Sequence, residues 1–240
     1  MSGLGWSVVI PAFNEARRLP PYLAEVLAYF DGRGEPYEVI VVDDGSSDGT
    51  ADAVAAMARP HPSVRVLRQE RNEGKGAAVR RGMLAARGER RLFSDADGAT
   101  PIMELKRLEA ALATGAQIAI GSRARLDPAV SVVARPYRVL AGRVFSWLVR
   151  RLGIGGVIDS QCGFKAFTGA AAADLFGRLQ TRGFGFDVEI LLLARAAGYR
   201  VVEVAVNWTD QPGSKVGVVT DGPRMLWDVA RARLRTRRRR

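Results

Sequence analysis

Two short acidic clusters lie about fifty residues apart in this chain of 240, and each follows an apolar run. The first is Asp43, Asp44, Gly45, Ser46, Ser47, Asp48 after Tyr37–Val42, and the second is Asp95, Ala96, Asp97, Gly98, Ala99, Thr100 after Arg91–Ser94. A nearly continuous apolar run is the mark of a strand buried on both faces of a parallel sheet, and open α/β sheets bind ligands beyond the carboxyl ends of their strands. The spacing therefore predicts that both clusters face one crevice. The intervening pattern agrees. Trp6–Pro11 predicts a first strand, and Ala16–Phe30 a helix with a stripe of Leu19, Leu23, Val26, Leu27 and Phe30. A second helix, capped by Ser47 or Asp48, runs to about Ala58, followed by a strand at Val64–Leu67 and a helix at Gly76–Ala86. The order βαβαβαβ, with right-handed crossovers, gives an α/β fold with a Rossmann-like, doubly wound, mostly parallel sheet.

The pair Asp95 and Asp97 places two carboxylates close enough to share one hard cation, and such a cation commonly carries nucleotide phosphates. All-oxygen ligation suits Mg2+ or Mn2+ and does not choose between them. The bland alternative is that both acids only cap the helix expected after Pro101. Asn72, Glu73, Gly74, Lys75, Gly76 is a glycine-rich turn before a helix, with Lys75 as a positive charge, but it lacks the spacing of a Walker loop. No G-x-G-x-x-G follows the first strand, which argues against a dinucleotide-binding oxidoreductase. The single cysteine, Cys162, allows no intrachain disulfide and fits a reducing, cytoplasmic compartment. No signal peptide is visible, and no uncharged apolar stretch reaches the ~20 residues needed to cross a bilayer.

Beyond the strand at Gln117–Gly121 the pattern changes to a loop with Arg123, Arg125 and Pro128, then a helical stretch from about Tyr137 to Leu152. Ala141, Val144, Phe145, Leu148, Val149 and Leu152 share one face of it, and Arg143, Arg150 and Arg151 lie on the other. This is the build of a helix lying in a membrane interface, or equally of a helix covering the sheet. Seven of the last ten residues are arginine and supply most of the net charge of +11. The expected layout is a single domain over residues 1–230, with a first half at 6–122, a second at 123–230 containing the amphipathic helix, and a basic tail at 231–240. Such a tail binds anionic lipid or nucleic acid, or stays in water. A non-catalytic nucleic-acid-binding protein would explain the tail but leave the acids idle and repelling a polyanion, so no nucleic-acid partner is expected.

Pro11, Ala12, Phe13, Asn14, Glu15 end the first strand, and with Asp43, Asp44 and the DxD they make three motifs in an order and spacing that resembles the inverting, GT-A-fold glycosyltransferases of family 2. Later motifs look most like its polyprenyl-phosphate branch, and there the dolichyl-phosphate β-glucosyltransferases. These are Gly121–Arg123, Asp159–Lys165 (Asp-Ser-Gln-Cys-Gly-Phe-Lys), Phe186–Glu189 and Val206–Lys215. The resemblance implies transfer of a hexose from a nucleotide-sugar donor, UDP-glucose above all, to polyprenyl or dolichyl phosphate at the cytoplasmic face of a membrane. A mannose synthase using GDP-mannose is the neighbouring alternative.

The resemblance puts Pro11, Ala12, Glu15, Asp43, Asp44, Asn72 and Lys75 around the nucleotide, and Asp95, Ala96, Asp97 and Gln161 at the donor, with Asp97 and Asp95 as the metal ligands. A lipid phosphate is already anionic, so the acceptor side needs cations more than a base. Arg123 is the leading phosphate clamp, because guanidinium presents a planar fork to phosphate oxygens, with Arg135, Lys165 and Lys215 sharing the load. Asp187 and Glu189 are expected to hold sugar hydroxyls or orient the acceptor, a base role being allowed but not required. Trp208 has three readings: sugar stacking, membrane anchoring or core.

Overall fold

The computed structural model describes residues 3–135, 142, 147, 156–213 and 218–237. The expected amphipathic helix Tyr137–Leu152, apart from Gly142 and Trp147, lies outside these residues, as do Lys215 and Arg238–Arg240.

The first half follows the expected alternation: β1 (Trp6–Ala12), α1 (Leu19–Asp31), β2 (Tyr37–Asp43), α2 (Thr50–Ala58), β3 (Val64–Arg68), α3 (Lys75–Ala85) and β4 (Arg90–Ser94). A 3-10 turn at Ile102–Glu104 leads into α4 (Leu105–Ala113) and β5 (Ile118–Ser122). The remainder adds β6 (Val132–Val133), β7 (Phe164–Thr168), α5 (Gly169–Arg178), α6 (Phe186–Ala196), β8 (Val201–Ala205), β9 (Trp208–Thr209) and α7 (Val218–Arg237). Among the described residues no helix is long and apolar enough to cross a membrane.

Seven strands form one sheet in the order β3-β2-β1-β4-β7-β5-β8, and β6 pairs with β9 in a separate ribbon. All neighbours in the main sheet are parallel except β7, which runs antiparallel to both β4 and β5. The order reverses at β1, so the crevice lies between the carboxyl ends of β1 and β4, where the loops carrying Glu15 and the DxD emerge. The period-two alternation of strand side chains builds a core on each face. Trp6, Val8, Ile10, Val39, Val41 and Leu92 pack with α1 and α4. Val9, Ile40, Val42 and Phe93 pack with α3, α5, α6 and α7.

Three local expectations are corrected. Helix α1 starts at Leu19 rather than Ala16, because Arg18 and Leu19 both donate backbone N–H groups to the Glu15 carbonyl, closing a turn first (3.1 and 2.9 Å). Helix α2 starts at Thr50 after a left-handed Gly49 (φ 83°). Asp48 still serves its first turn, accepting from Thr50 N at 3.0 Å, while its other oxygen accepts from Ala16 N at 3.1 Å. The arginine run at 231–240 is not a free tail as far as Arg237: it continues α7, whose Val229 and Ala232 are fully buried against α6. Spacings of three and four between Val229, Ala232 and Thr236 place one apolar side on the protein, and the arginines occupy the others.

Candidate active site

Asp95 sits directly beyond β4 and is held there by an unusually close approach. Its backbone N donates to the Gly163 carbonyl at 2.9 Å, and a Cβ on Gly163 would fall 1.9 Å from the Asp95 Oδ2. Only glycine leaves room for that carboxylate. Lys75 Nζ, at the start of α3, lies 2.6 Å from Asp95 Oδ1, and the Phe93 and Phe184 rings flank the ammonium at 5.4 and 6.0 Å. Burial works against the Lys75 charge, but Asp95 and Asp187 outweigh it and hold its pKa above the ordinary value.

Asp97 points into the same crevice. Its Oδ1 accepts from Ala99 N at 3.1 Å, and its Oδ2 has the Arg18 Nη1 at 3.7 Å. Burial and the neighbouring Asp95 push its pKa up, against the opposing charges of Arg18 and Lys75. Among the described residues no group of three His, Cys, Asp or Glu side chains could hold a metal. Two carboxylates alone are nevertheless the protein share usual for Mg2+ or Mn2+ in a nucleotide site, the other ligands being phosphate oxygens and water. The donor set of Asp95 and Asp97 fits such an ion. Arg18 went unnoticed in the sequence. It forks onto Glu15, donates to the Pro212 carbonyl at 3.1 Å and faces Asp97, so Glu15 serves to aim a guanidinium at the DxD. The i,i+3 spacing of Glu15 and Arg18 was the available signal.

Below the crevice lies a buried ion pair. Lys165, the second residue of the reversed strand β7, lies in register with Phe93 of β4 and Ile120 of β5. Its ammonium donates to Asp187 Oδ1 and to the Cys162 carbonyl, both at 2.5 Å. Lys165 is 1% and Asp187 3% exposed. Lys165 is therefore withdrawn from any acceptor phosphate, and its charge balances the acids instead. Cys162 is buried, which pushes its thiol up to about 12 and leaves it a packing residue.

Arg123 at the end of β5 forks onto Asp159, Nε to Oδ2 at 2.7 Å and Nη2 to Oδ1 at 2.8 Å, and its backbone N adds a third bond at 3.0 Å. Burial would raise the Asp159 pKa, but the charge and hydrogen bonds of Arg123 prevail and bring it to about 2. Glu203 of β8 in turn accepts from the backbone N of Ile158 and Asp159 at 2.9 and 2.8 Å. Arg123 also lies over the Trp208 ring at 5.4 Å, so Trp208 supports a guanidinium. With two of its nitrogens committed to Asp159, Arg123 can offer a phosphate only its remaining donors. Arg135 is mostly exposed and pairs with Asp210 at 3.4 Å. The Gln161 Nε2 is buried without a hydrogen-bond partner among the described residues, which leaves a donor in reserve two residues from Gly163.

The residues expected around a nucleotide are largely engaged with the protein itself. Asp44 accepts from Gln69 Nε2 (2.5 Å), Glu73 N (2.7 Å) and Gly74 N (3.0 Å), so it shapes the loop that delivers Lys75. Asp43 is fully buried and accepts from Ser46 N at 3.1 Å. Pro11, Ala12 and Ala96 are buried around the strand ends, and Asn72 is exposed beside them. A cleft of about 460 Å³ opens next to these residues, lined by Gly45, Ser46, Arg68, Gln69 and Glu70. Glu189 faces away from the crevice. It accepts from Thr181 N at 2.7 Å and pairs with Arg235 of α7 at 3.2 Å, fixing the 180–185 loop.

A doubly wound sheet with a DxD at its switch point defines the nucleotide-sugar transferases of GT-A fold. The structure of glucosyl-3-phosphoglycerate synthase from Mycobacterium tuberculosis with Mn2+ and UDP-glucose superposes with a TM-score of 0.73 at 22% identity, over 95% of this chain and 78% of that one. The sequence model of glycosyl transferase family 2 matches residues 7–171. Proteins named dolichyl-phosphate beta-glucosyltransferase are 44% identical in Drosophila melanogaster and 42% in Homo sapiens, each across 88% of this chain and 68% and 69% of the relative. A Trichomonas vaginalis protein named dolichyl-phosphate beta-glucosyltransferase ALG5C is 41% identical over 88% of this chain and 65% of its own length. The chain belongs to glycosyltransferase family 2, within its group of dolichyl-phosphate β-glucosyltransferase relatives, and spans about two thirds of the length of these three.

Two stability measurements check this geometry. Lys165→Met leaves Asp187 buried without its hydrogen-bonded partner, with an expected loss of about 3–5 kcal/mol in urea unfolding, and Lys165→Met with Asp187→Leu is expected to regain most of it. A single variant as stable as wild type would contradict the pair. For Asp159 the folded pKa lies below the unfolded one, so its stabilisation is complete above pH ~4 and is lost as pH falls through about 2. Unfolding free energy is expected to drop by about 2 kcal/mol from this group between pH 5 and pH 2, a component that Asp159→Asn lacks.

Proposed function

We propose that the protein transfers glucose from UDP-glucose to dolichyl phosphate or a related polyprenyl phosphate, as a peripheral enzyme at the cytoplasmic face of a membrane. The observation that carries this reading is the crevice in which Asp95, Asp97, Lys75 and Arg18 converge, in a chain whose relatives bear that activity in their names. The UDP-glucose in the mycobacterial neighbour of the same fold supports the choice of donor.

In the reaction an oxygen of the lipid phosphate attacks the anomeric carbon as the bond to the UDP diphosphate breaks. One in-line displacement turns the α-linked donor into a β-linked product. Mg2+ or Mn2+ held by Asp97 and Asp95 would neutralise charge on the departing diphosphate. Lys75 and Arg18 flank those carboxylates and add fixed positive charge where the diphosphate lies, without reorganisation at the moment of reaction. The Asp159 pairing presents the free edge of Arg123 to the acceptor phosphate. Asp187 serves as counter-ion rather than base, since its carboxylate is buried and occupied by Lys165, and an anionic phosphate needs no proton removed.

The test is transfer of labelled sugar into organic-extractable lipid. UDP-glucose, UDP-galactose, UDP-N-acetylglucosamine and GDP-mannose are run in parallel, with and without chelator. Labelling from UDP-glucose alone, abolished by chelator and reduced roughly a hundredfold or more in Asp97→Asn with the fold intact, is expected. Labelling from GDP-mannose instead would overturn the donor, and none from any donor would overturn the acceptor.

A further inference from the structure

The outward side of α7 exposes Arg224, Trp227, Arg231 and Leu234 at spacings of three, four and three, so the four lie along one stripe. Trp227 is 64% and Leu234 61% exposed, large apolar side chains of a kind that a helix in water seldom places together. The Arg231 guanidinium lies over the Trp227 ring at 5.8 Å. The opposite side of the same helix is firmly seated, through buried Met225, Val229 and Ala232 and through Arg235 on Glu189. The stripe is therefore a rigid surface rather than a frayed end.

The stripe borders a groove of about 590 Å³ lined by Gly183, Phe184, Pro223, Arg224, Met225, Trp227 and Asp228. The far wall of that groove, Phe184, is the ring beside Lys75, which pairs with Asp95. The one acid on the groove, Asp228, is only partly exposed and packs against Gly185.

We infer that this face of α7 seats the enzyme on an anionic lipid bilayer, with Trp227 and Leu234 entering the headgroup region and Arg224 and Arg231 meeting lipid phosphates. Aromatic and aliphatic anchors flanked by arginine are the composition that holds a helix in that interface. A nucleic acid would use the arginines but gain nothing from Leu234. The groove then opens from the bilayer surface toward the DxD, which gives an acceptor phosphate a short approach. This rests on the proposed lipid acceptor for its purpose, but not for its measurement.

The experiment is co-sedimentation of the full chain with vesicles of phosphatidylcholine, with and without phosphatidylglycerol, and with duplex DNA as competitor. Wild type is expected to bind the anionic vesicles, and Arg224→Ala with Arg231→Ala to bind them about thirtyfold more weakly, since each arginine near such a surface is worth roughly fivefold. Trp227→Ala with Leu234→Ser is expected to lose binding as well. Both pairs of positions are exposed, so circular dichroism is expected to stay unchanged. Transfer to detergent-dispersed polyprenyl phosphate is expected to be retained by Arg231→Ala with Leu234→Ser, whose positions lie outside the groove. Wild-type binding by either variant, or no vesicle binding by the wild type, overturns the surface, as does displacement by DNA that depends on the same arginines. If vesicle binding behaves as stated but no sugar is transferred, the surface stands and the acceptor assignment falls.

Discussion

The buried pair of Lys165 and Asp187 is the constraint to which the rest of the site answers. Two opposite charges removed from water cost several kcal/mol each, and they persist only where geometry and further hydrogen bonds compensate. Here the compensation extends outward. Asp187 also faces Lys75, and Lys75 holds Asp95, so positive and negative groups alternate from the middle of the sheet to the mouth of the crevice. Removing one member unbalances its neighbours in a low-dielectric setting where each charge is felt strongly. The chain of charges thereby fixes β7, α6, α3 and the loop after β4 relative to one another, and the DxD carboxylates inherit that precision.

A similar division of labour holds around Arg123. Arg123 is aimed by Asp159, Asp159 by the backbone bonds that Glu203 accepts, and the ring of Trp208 lies against the guanidinium. Asn207 ties its own segment to Glu104 and Ser131, and Thr209 N donates to Ala99 O, next to the DxD. Many polar residues in the recognisable motifs thus hold other residues in place, and few are left for substrate. This is how a site of flexible arginines and lysines becomes pre-organised.

The alternating strands and helices of the first half were legible because apolar runs and acidic strand ends carry their meaning locally. The position of Asp95 and Asp97 just beyond β4 was legible for the same reason. What the sequence concealed were partnerships across long separations. Nothing near Lys165 names Asp187, 22 residues away, although Phe164, Lys165, Ala166, Phe167 is a strand pattern with a lysine in a core position. Arg123 read as a free phosphate clamp because its partner Asp159 lies 36 residues on. Glu189 read as a sugar contact beside Asp187, but two positions along a helix turn a side chain by roughly 200°, toward α7. The arginines of 231–237 masked the apolar positions between them, so a docked helix read as a tail.

The antiparallel strand β7 has a consequence for how the molecule is assembled. Strands β1 to β4 are complete by residue 94, yet the partner that covers the open side of β4 begins at Phe164. During synthesis β4 is therefore an unpaired edge for the time needed to make about seventy further residues, the sort of edge that pairs wrongly with other chains. Asp95 gains its glycine wall only when that late strand inserts between β4 and β5. Closure of the sheet and completion of the crevice around Asp95 therefore both wait on residues beyond 162, the last of the crevice to be made.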